Sequence, residues 1–177
     1  MGDERHIEAV KWLRTLPYVD ATKICITGGS YGGYVTCMAL TYGADYFRYG
    51  IANSSVTDWN LYDTHYTERY MDTPTDNPEG YKFGSVMTHV NNYKGLLRIV
   101  HGSTDDNVHF QNSLQFVDTL ENLGKHFEFM TYPNERHGIG PPKSDHARME
   151  SMRFYYKYLL ETEFPEQAFV KKPKSQS

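Results

Sequence analysis

Residues Ile26 to Thr36 read ITGGSYGGYVT, four glycines around a single Ser-Tyr pair, placed between the β-prone run Lys23-Ile24-Cys25-Ile26 and the apolar stretch VTCMALTYG. Gly28-Gly29-Ser30-Tyr31-Gly32 fits G-x-S-x-G, a pattern that sets a serine on a sharp strand-to-helix turn with its hydroxyl outward. Glycines are expected on both sides because a Cβ there would strike the neighbouring strand and helix. The Tyr31 amide then opens a helix, where it can stabilise an oxyanion. The chemistry this suits is nucleophilic attack on an acyl carbon. A glycine-rich turn can equally be a packing device or a phosphate cradle, so the serine's partners decide. A serine hydroxyl needs a base, and the base needs an acid to orient it. Asp105 follows the strand-like LLRIVHG, and His137 follows FEFMTYP. In that order all three side chains emerge at the C-terminal edge of one parallel sheet, the edge where ligands bind. Asp106 competes with Asp105 as the acid, but its place just before a helix suits an N-cap. His101, at a strand end, reads as a buried hydrogen-bonded residue and His109 as opening a helix; His6, His65, His89, His126 and His146 read as solvated.

These positions depend on alternating elements. Ile7, Val10, Leu13 and Leu16 recur at helical spacing over Asp3–Leu16, and Pro17 closes that helix. Strands are expected at Lys23–Thr27, Tyr49–Val56, Gly95–Gly102 and Phe127–Pro133. The stretch DWNLYDTHYTERYM reads as one helix after the second strand, with DTPTDNPEG as a surface loop behind it. Further helices are expected from about Val108 to Leu123, stopped by Gly124, and from about Ser144 to Leu160. Strand-helix repeats with crossovers of this length make an α/β fold with a parallel sheet. Residues 1–164 form the expected domain, and 165–177 a polar, frayed tail.

With 177 residues, 39% of them hydrophobic, the chain has enough for one core and little for two. Its net charge of −4 is spread along the sequence, without the basic stripe that nucleic acid requires. No apolar run approaches the roughly 20 residues needed to span a bilayer, and MGDERHIEAVKW has no apolar signal-peptide core, so the chain reads as soluble. Cys25 and Cys37 read as buried thiols, outside any disulfide framework or zinc spacing. Neither metal nor cofactor is expected.

At this point the sequence resembles the prolyl oligopeptidase family of serine peptidases, and within it the dipeptidyl peptidase IV-like branch. The stretches GGSYGGYVT, VTDWNLYDTHYTERYM, HGSTDDNVHFQNS and ERHGI carry the likeness. The resemblance implies Ser30 as nucleophile, Asp105 as acid, His137 as base and the Tyr31 amide as an oxyanion donor. It also implies a proline-binding S1 pocket lined by Tyr31, Val56, Trp59, Tyr62, Tyr66 and Val108. Asn107 would hold the carbonyl of the penultimate substrate residue, helped by Arg69. Trp59, Tyr62 and Tyr66, at spacings of three and four, would share one helical face, although such a face is also ordinary core.

Gly29 stands where the dipeptidyl peptidase branch has tryptophan and is similar to the acylaminoacyl-peptidase branch; Tyr49 stands where vertebrate members have a disulfide cysteine. The implied activity is cleavage of short peptides after proline or alanine, releasing N-terminal dipeptides in the full-length enzyme. Acylaminoacyl-peptidase or esterase activity, or an inactive fragment acting only in binding, are the alternatives. The resemblance further implies that the chain is the C-terminal half of an α/β-hydrolase fold. The upstream strands, the loop tyrosine serving as second oxyanion donor and the N-terminal propeller would then be partners from outside it. An exposed apolar edge strand would favour homo-oligomers. Scarce cysteine fits a periplasmic or secreted member and equally a cytoplasmic one.

Overall fold

A computed structural model of the chain describes residues 2–169, so the tail beyond 169 lies outside the described residues. Four strands, β1 (Cys25–Gly29), β2 (Tyr49–Asn53), β3 (Leu96–Gly102) and β4 (Glu128–Tyr132), form one all-parallel sheet in that spatial order. This is the α/β architecture expected, and β1 is an edge strand, paired with β2 alone among the described residues. β3 is buried at every position, as a strand covered on both faces must be. Its one permanent charge, Arg98, is met directly across the register by Glu128 at 2.8 Å.

Helix α1 (Gly2–Leu13) ends a turn earlier than its apolar spacing suggested, and α2 (Tyr31–Thr41) starts immediately at the glycine-rich turn. Every residue of α2 from Gly33 to Thr41 is buried. Cys37 lies fully inside, whereas Cys25 on the edge strand is only partly covered, a correction to the expectation of two buried thiols.

The segment between β2 and β3 departs most from its sequence reading. Instead of one helix, Trp59–Leu61 is a short 3₁₀ turn and α3 spans Thr64–Met71. Two aspartates cause the break. The Asp58 carboxylate accepts from the Asn60 amide, and that of Asp63 from the His65 and Tyr66 amides. Each satisfies the open amides of a new helical start, leaving Tyr62 extended between them. The expected loop ends early too. Asn77 caps α4 (Pro78–Gly84), with proline at its first position, and α5 (Val86–His89) plus a 3₁₀ turn (Val90–Asn92) lead into β3. α6 (Gln111–Asn122) then links β3 to β4.

The chain divides into two compact units at Ile139/Gly140, where the sequence suggested one domain running to 164. The second unit holds α7 (Lys143–Tyr155), continued by a π-helical stretch over Tyr156–Leu160, and α8 (Glu166–Phe169). α8 falls inside the segment read as a frayed tail. Arg153 of α7 fastens it, its Nε and Nη2 donating to Glu166 Oε1 at 3.0 and 2.7 Å. No helix among the described residues is long and apolar enough to cross a membrane.

Candidate active site

Ser30 joins β1 to α2 with φ 57° and ψ −119°. A non-glycine residue held there stores about 1–3 kcal/mol of backbone strain, and the surrounding bonds enforce it. The Ser30 amide donates to Asn53 O at 2.9 Å, and Ser30 O accepts from the Tyr34 amide at 3.0 Å. The glycines that this turn demands are Gly28 and Gly33. A Cβ on Gly28 would lie 2.4 Å from the Gly32 carbonyl, and one on Gly33 2.8 Å from Asn53 O. At Gly32 a Cβ would meet nothing, and at Gly29 only ordinary contacts. The steric reason expected for both flanking glycines therefore holds for Gly28 and fails for Gly32.

Asp105 lies three residues beyond β3, and His137 five residues beyond β4. Their loops are tied together: the Thr104 amide and hydroxyl both donate to Glu135 O at 3.0 Å. The Ser54 hydroxyl donates to His137 O at 3.3 Å. Because Asn53 receives the Ser30 amide, the end of β2 fastens both the serine's turn and the histidine's loop.

His137 Nδ1 lies 3.0 Å from Asp105 Oδ2. A carboxylate only accepts, so Nδ1 carries the hydrogen, and in the neutral ring this leaves the lone pair on Nε2. Asp105 Oδ2 also takes His101 Nε2 at 3.1 Å, and Oδ1 takes the Asn107 and Val108 amides at 3.0 and 2.9 Å. Burial pushes the Asp105 carboxyl towards the neutral form, but the hydrogen bonds from His137, Asn107 and Val108 outweigh it and hold its pKa below the ordinary carboxylate value. Asp106 takes no part, and its expected N-cap role is not found. It pairs with Arg136 at 3.2 Å, while α6 starts behind Phe110 with no side-chain cap. His109 lies in the turn before α6 rather than at its opening.

Four expected pocket residues form a continuous aromatic group. The Trp59 ring is 6.1 Å from Tyr31, 5.9 Å from Tyr62 and 6.4 Å from Tyr66, and Tyr62 and Tyr66 stand 5.4 Å apart. They converge without sharing a helix face. Tyr34, which the sequence reading passed over, packs edge-on against Trp59 at 4.9 Å. Tyr31 is 51% exposed, so its ring is open to a ligand. Val56 and Val108 belong to the core instead, at 2% and 0% exposure. The Tyr62 hydroxyl donates to Asn107 Oδ1 at 2.7 Å, which leaves the Asn107 amide hydrogens for another acceptor. Burial, with nearby Asp63, Tyr66 and Asp105, raises the Tyr62 pKa and keeps that hydroxyl a donor. Arg69 lies over the Tyr70 ring, 6.0 Å from its centre.

Sequence reasoning missed Asn112, whose side-chain oxygen accepts from the Thr57 amide at 3.0 Å and ties the Val56–Trp59 segment to α6. A contact across 55 residues leaves no local signal. Burial pushes both cysteine thiols up to about 12, so neither competes as a nucleophile at neutral pH.

His101 gives the site an acid limit. Its pKa is lowered by burial, against the opposing pull of Val108 O and Asp105. In the unfolded chain an imidazole takes up its proton near pH 6.5, before the folded one does. Stability is therefore complete above that pH and falls as pH drops through it towards the folded value, by up to about 1.4 kcal/mol per pH unit. Asp105, also depressed, adds a loss in the same direction only below about pH 4. The melting temperature should fall between pH 7.5 and 5.5, and less so in His101→Gln; identical pH dependence in the two proteins would contradict this.

Residues 4–162 match the sequence model of the prolyl oligopeptidase family. Dipeptidyl peptidase 4 of Bos taurus is 45% identical over 139 residues, which cover 77% of this chain and 18% of the relative. A Metarhizium robertsii protein named "Probable dipeptidyl-aminopeptidase B" is 46% identical over 138 residues, 76% of this chain and 15% of that one. Among solved structures, Porphyromonas gingivalis dipeptidyl peptidase 4 superposes with a TM-score of 0.85 at 40% identity, over 89% of this chain and 22% of the other. The chain thus spans less than a fifth of the length of the curated relatives it matches.

Proposed function

The chain belongs to the prolyl oligopeptidase family, and from that membership together with the Asp105–His137 geometry we propose that it carries the acyl-transfer site of a serine peptidase. The observation that carries this reading is the hydrogen bond from His137 Nδ1 to Asp105 Oδ2, at the sheet edge where Ser30 is held in its strained turn. Ser30 Oγ attacks the scissile carbonyl carbon, and His137 Nε2 takes the hydroxyl proton. The same nitrogen then protonates the leaving amine, and a water, activated in turn by Nε2, releases the acyl group from Ser30. Asp105 holds the tautomer that leaves Nε2 basic. The Tyr31 amide, at the positive end of α2, receives the oxyanion.

Specificity follows from the surrounding rings. Tyr31, Trp59, Tyr62 and Tyr66 offer the flat apolar faces that a proline or alanine side chain fills, with Val56 and Val108 as packing behind them. Asn107, its oxygen occupied by Tyr62, points its amide hydrogens to the carbonyl of the penultimate residue. This supports release of N-terminal dipeptides, with the amino terminus and second oxyanion contact supplied by segments outside this chain. Losing one oxyanion donor costs on the order of 100- to 1,000-fold. The protein extended to the length of its relatives should release Gly-Pro from Gly-Pro-p-nitroanilide, and the 177-residue chain should do so at least about 100-fold more slowly. Activity of the extended protein only on amino-blocked substrates would replace the dipeptidyl reading with an acylaminoacyl one.

A further inference from the structure

His101 is the penultimate residue of β3 and is completely buried. Its Nε2 lies 3.1 Å from Asp105 Oδ2 and 2.9 Å from Val108 O, and its Nδ1 lies 2.7 Å from Ser113 Oγ on α6. Both partners of Nε2 can only accept, so Nε2 carries a hydrogen shared between them. The Ser113 hydroxyl then donates to the bare Nδ1, which fixes this tautomer. Phe110 packs edge-on against the ring at 5.5 Å. Every polar atom of the imidazole is thereby satisfied in its neutral form, the condition for burying such a group at little cost.

The consequence concerns Asp105. Two backbone amides hold its Oδ1, whereas its Oδ2 has two imidazoles of unequal rigidity. His137 stands on a loop with its side chain 30% exposed, and His101 stands on the buried central strand. With only the Oδ1 contacts, the carboxylate could rotate about its Cβ–Cγ bond, and the histidine it must orient would be its sole other restraint. The ring on β3 fixes the carboxylate plane from the scaffold side. We propose that His101 is a positioning residue: it sets the orientation of Asp105 through Nε2–H and so the orientation of His137. This rests on the reading of Asp105 and His137 as acid and base.

The test compares the intact chain with His101→Leu, which fills the space without a donor, and His101→Gln, whose terminal amide nitrogen reaches the position of Nε2. Two readouts are taken at pH 7.5: the rate of Ser30 labelling by a fluorophosphonate probe, and the imidazole proton and nitrogen resonances in NMR. Loss of a hydrogen bond to a charged group predicts labelling slower by on the order of 10- to 100-fold in His101→Leu, with most of that loss recovered in His101→Gln. The low-field His137 Nδ1 proton should be present in the wild type and in His101→Gln and lost in His101→Leu. Unchanged labelling in His101→Leu, or an equal fall in both variants, overturns the proposal, because the first removes the effect and the second assigns it to ring packing. If His101→Leu does not fold, the wild-type spectrum decides: His101 protonated on Nε2 alone supports the proposal, and His101 charged or protonated on Nδ1 at pH 7.5 refutes it. Absence of any Ser30 labelling in the wild type would refute the serine peptidase reading separately, leaving the His137 Nδ1 proton to judge the role of His101.

Discussion

Ser30→Ala is expected to abolish labelling of the chain by a fluorophosphonate probe, and in the extended protein to lower kcat by on the order of a millionfold. The argument is one of position rather than of serine chemistry in general. Ser30 stands at the C-terminal end of β1, next to the amide that opens α2. Ser54, Ser55 and Ser103 lie in the same region, but Ser54 donates to His137 O, Ser55 is buried, and Ser103 Oγ accepts from the Asn134 amide. Alanine keeps the Cβ and therefore the strained backbone, so the fold is left as it was and the loss reads on chemistry. Mass spectrometry of the labelled chain checks this. An adduct that persists in Ser30→Ala would place the nucleophile elsewhere.

The second large effect belongs to Asp105→Asn. Four donors surround the Asp105 carboxylate: the His137 and His101 ring nitrogens on Oδ2, and the Asn107 and Val108 amides on Oδ1. A carboxylate accepts all four, and a carboxamide cannot. With its NH₂ towards the histidines it faces two N–H groups; turned over, it faces the two backbone amides. Either way a donor meets donors: in the first orientation His137 loses the partner that selects its Nδ1–H tautomer, and in the second the Asn107 and Val108 amides lose their acceptor. Turnover in the extended protein should fall about 10⁴-fold, and labelling of the chain should slow with it. The urea midpoint should drop as well, by an amount corresponding to about 1–3 kcal/mol for unsatisfied buried groups. Wild-type labelling rates in Asp105→Asn would show that another carboxylate does this work, with Asp106 the nearest in sequence.

Ser30, Asp105 and His137 stand out as candidates because their signals are local and ordered: a glycine-bounded serine after a strand, then an acid and a histidine each just beyond a later strand; of these, the structure brings Asp105 and His137 into contact. Asp105 was separable from Asp106 only in part, since sequence adjacency hides which side chain turns inward. The split of Asp58–Met71 into a 3₁₀ turn and α3 was hidden for a different reason. Asp58 and Asp63 look like the polar positions of one continuous amphipathic helix, while their carboxylates in fact start two new ones. Trp59, Tyr62 and Tyr66 still meet, with ring centres 5.4 to 6.4 Å apart across the break. Val56 and Val108 show the opposite limit: the resemblance marks their positions as pocket lining, and the structure buries both in the core. The roles of Asn112 and Ser113 depend on partners far away in sequence, Thr57 and His101, and no periodicity encodes those.

The convergence of Ser30, Asp105 and His137 on one reacting centre is tested most directly by a crystal structure of the chain after reaction with a fluorophosphonate. The phosphorus should be bonded to Ser30 Oγ, with the phosphonyl oxygen facing the Tyr31 amide. His137 Nε2 should stand within about 3 Å of a phosphonate oxygen, and Nδ1 should still be on Asp105. A phosphonate on any other residue, or a His137 ring turned away from the adduct, would contradict the account.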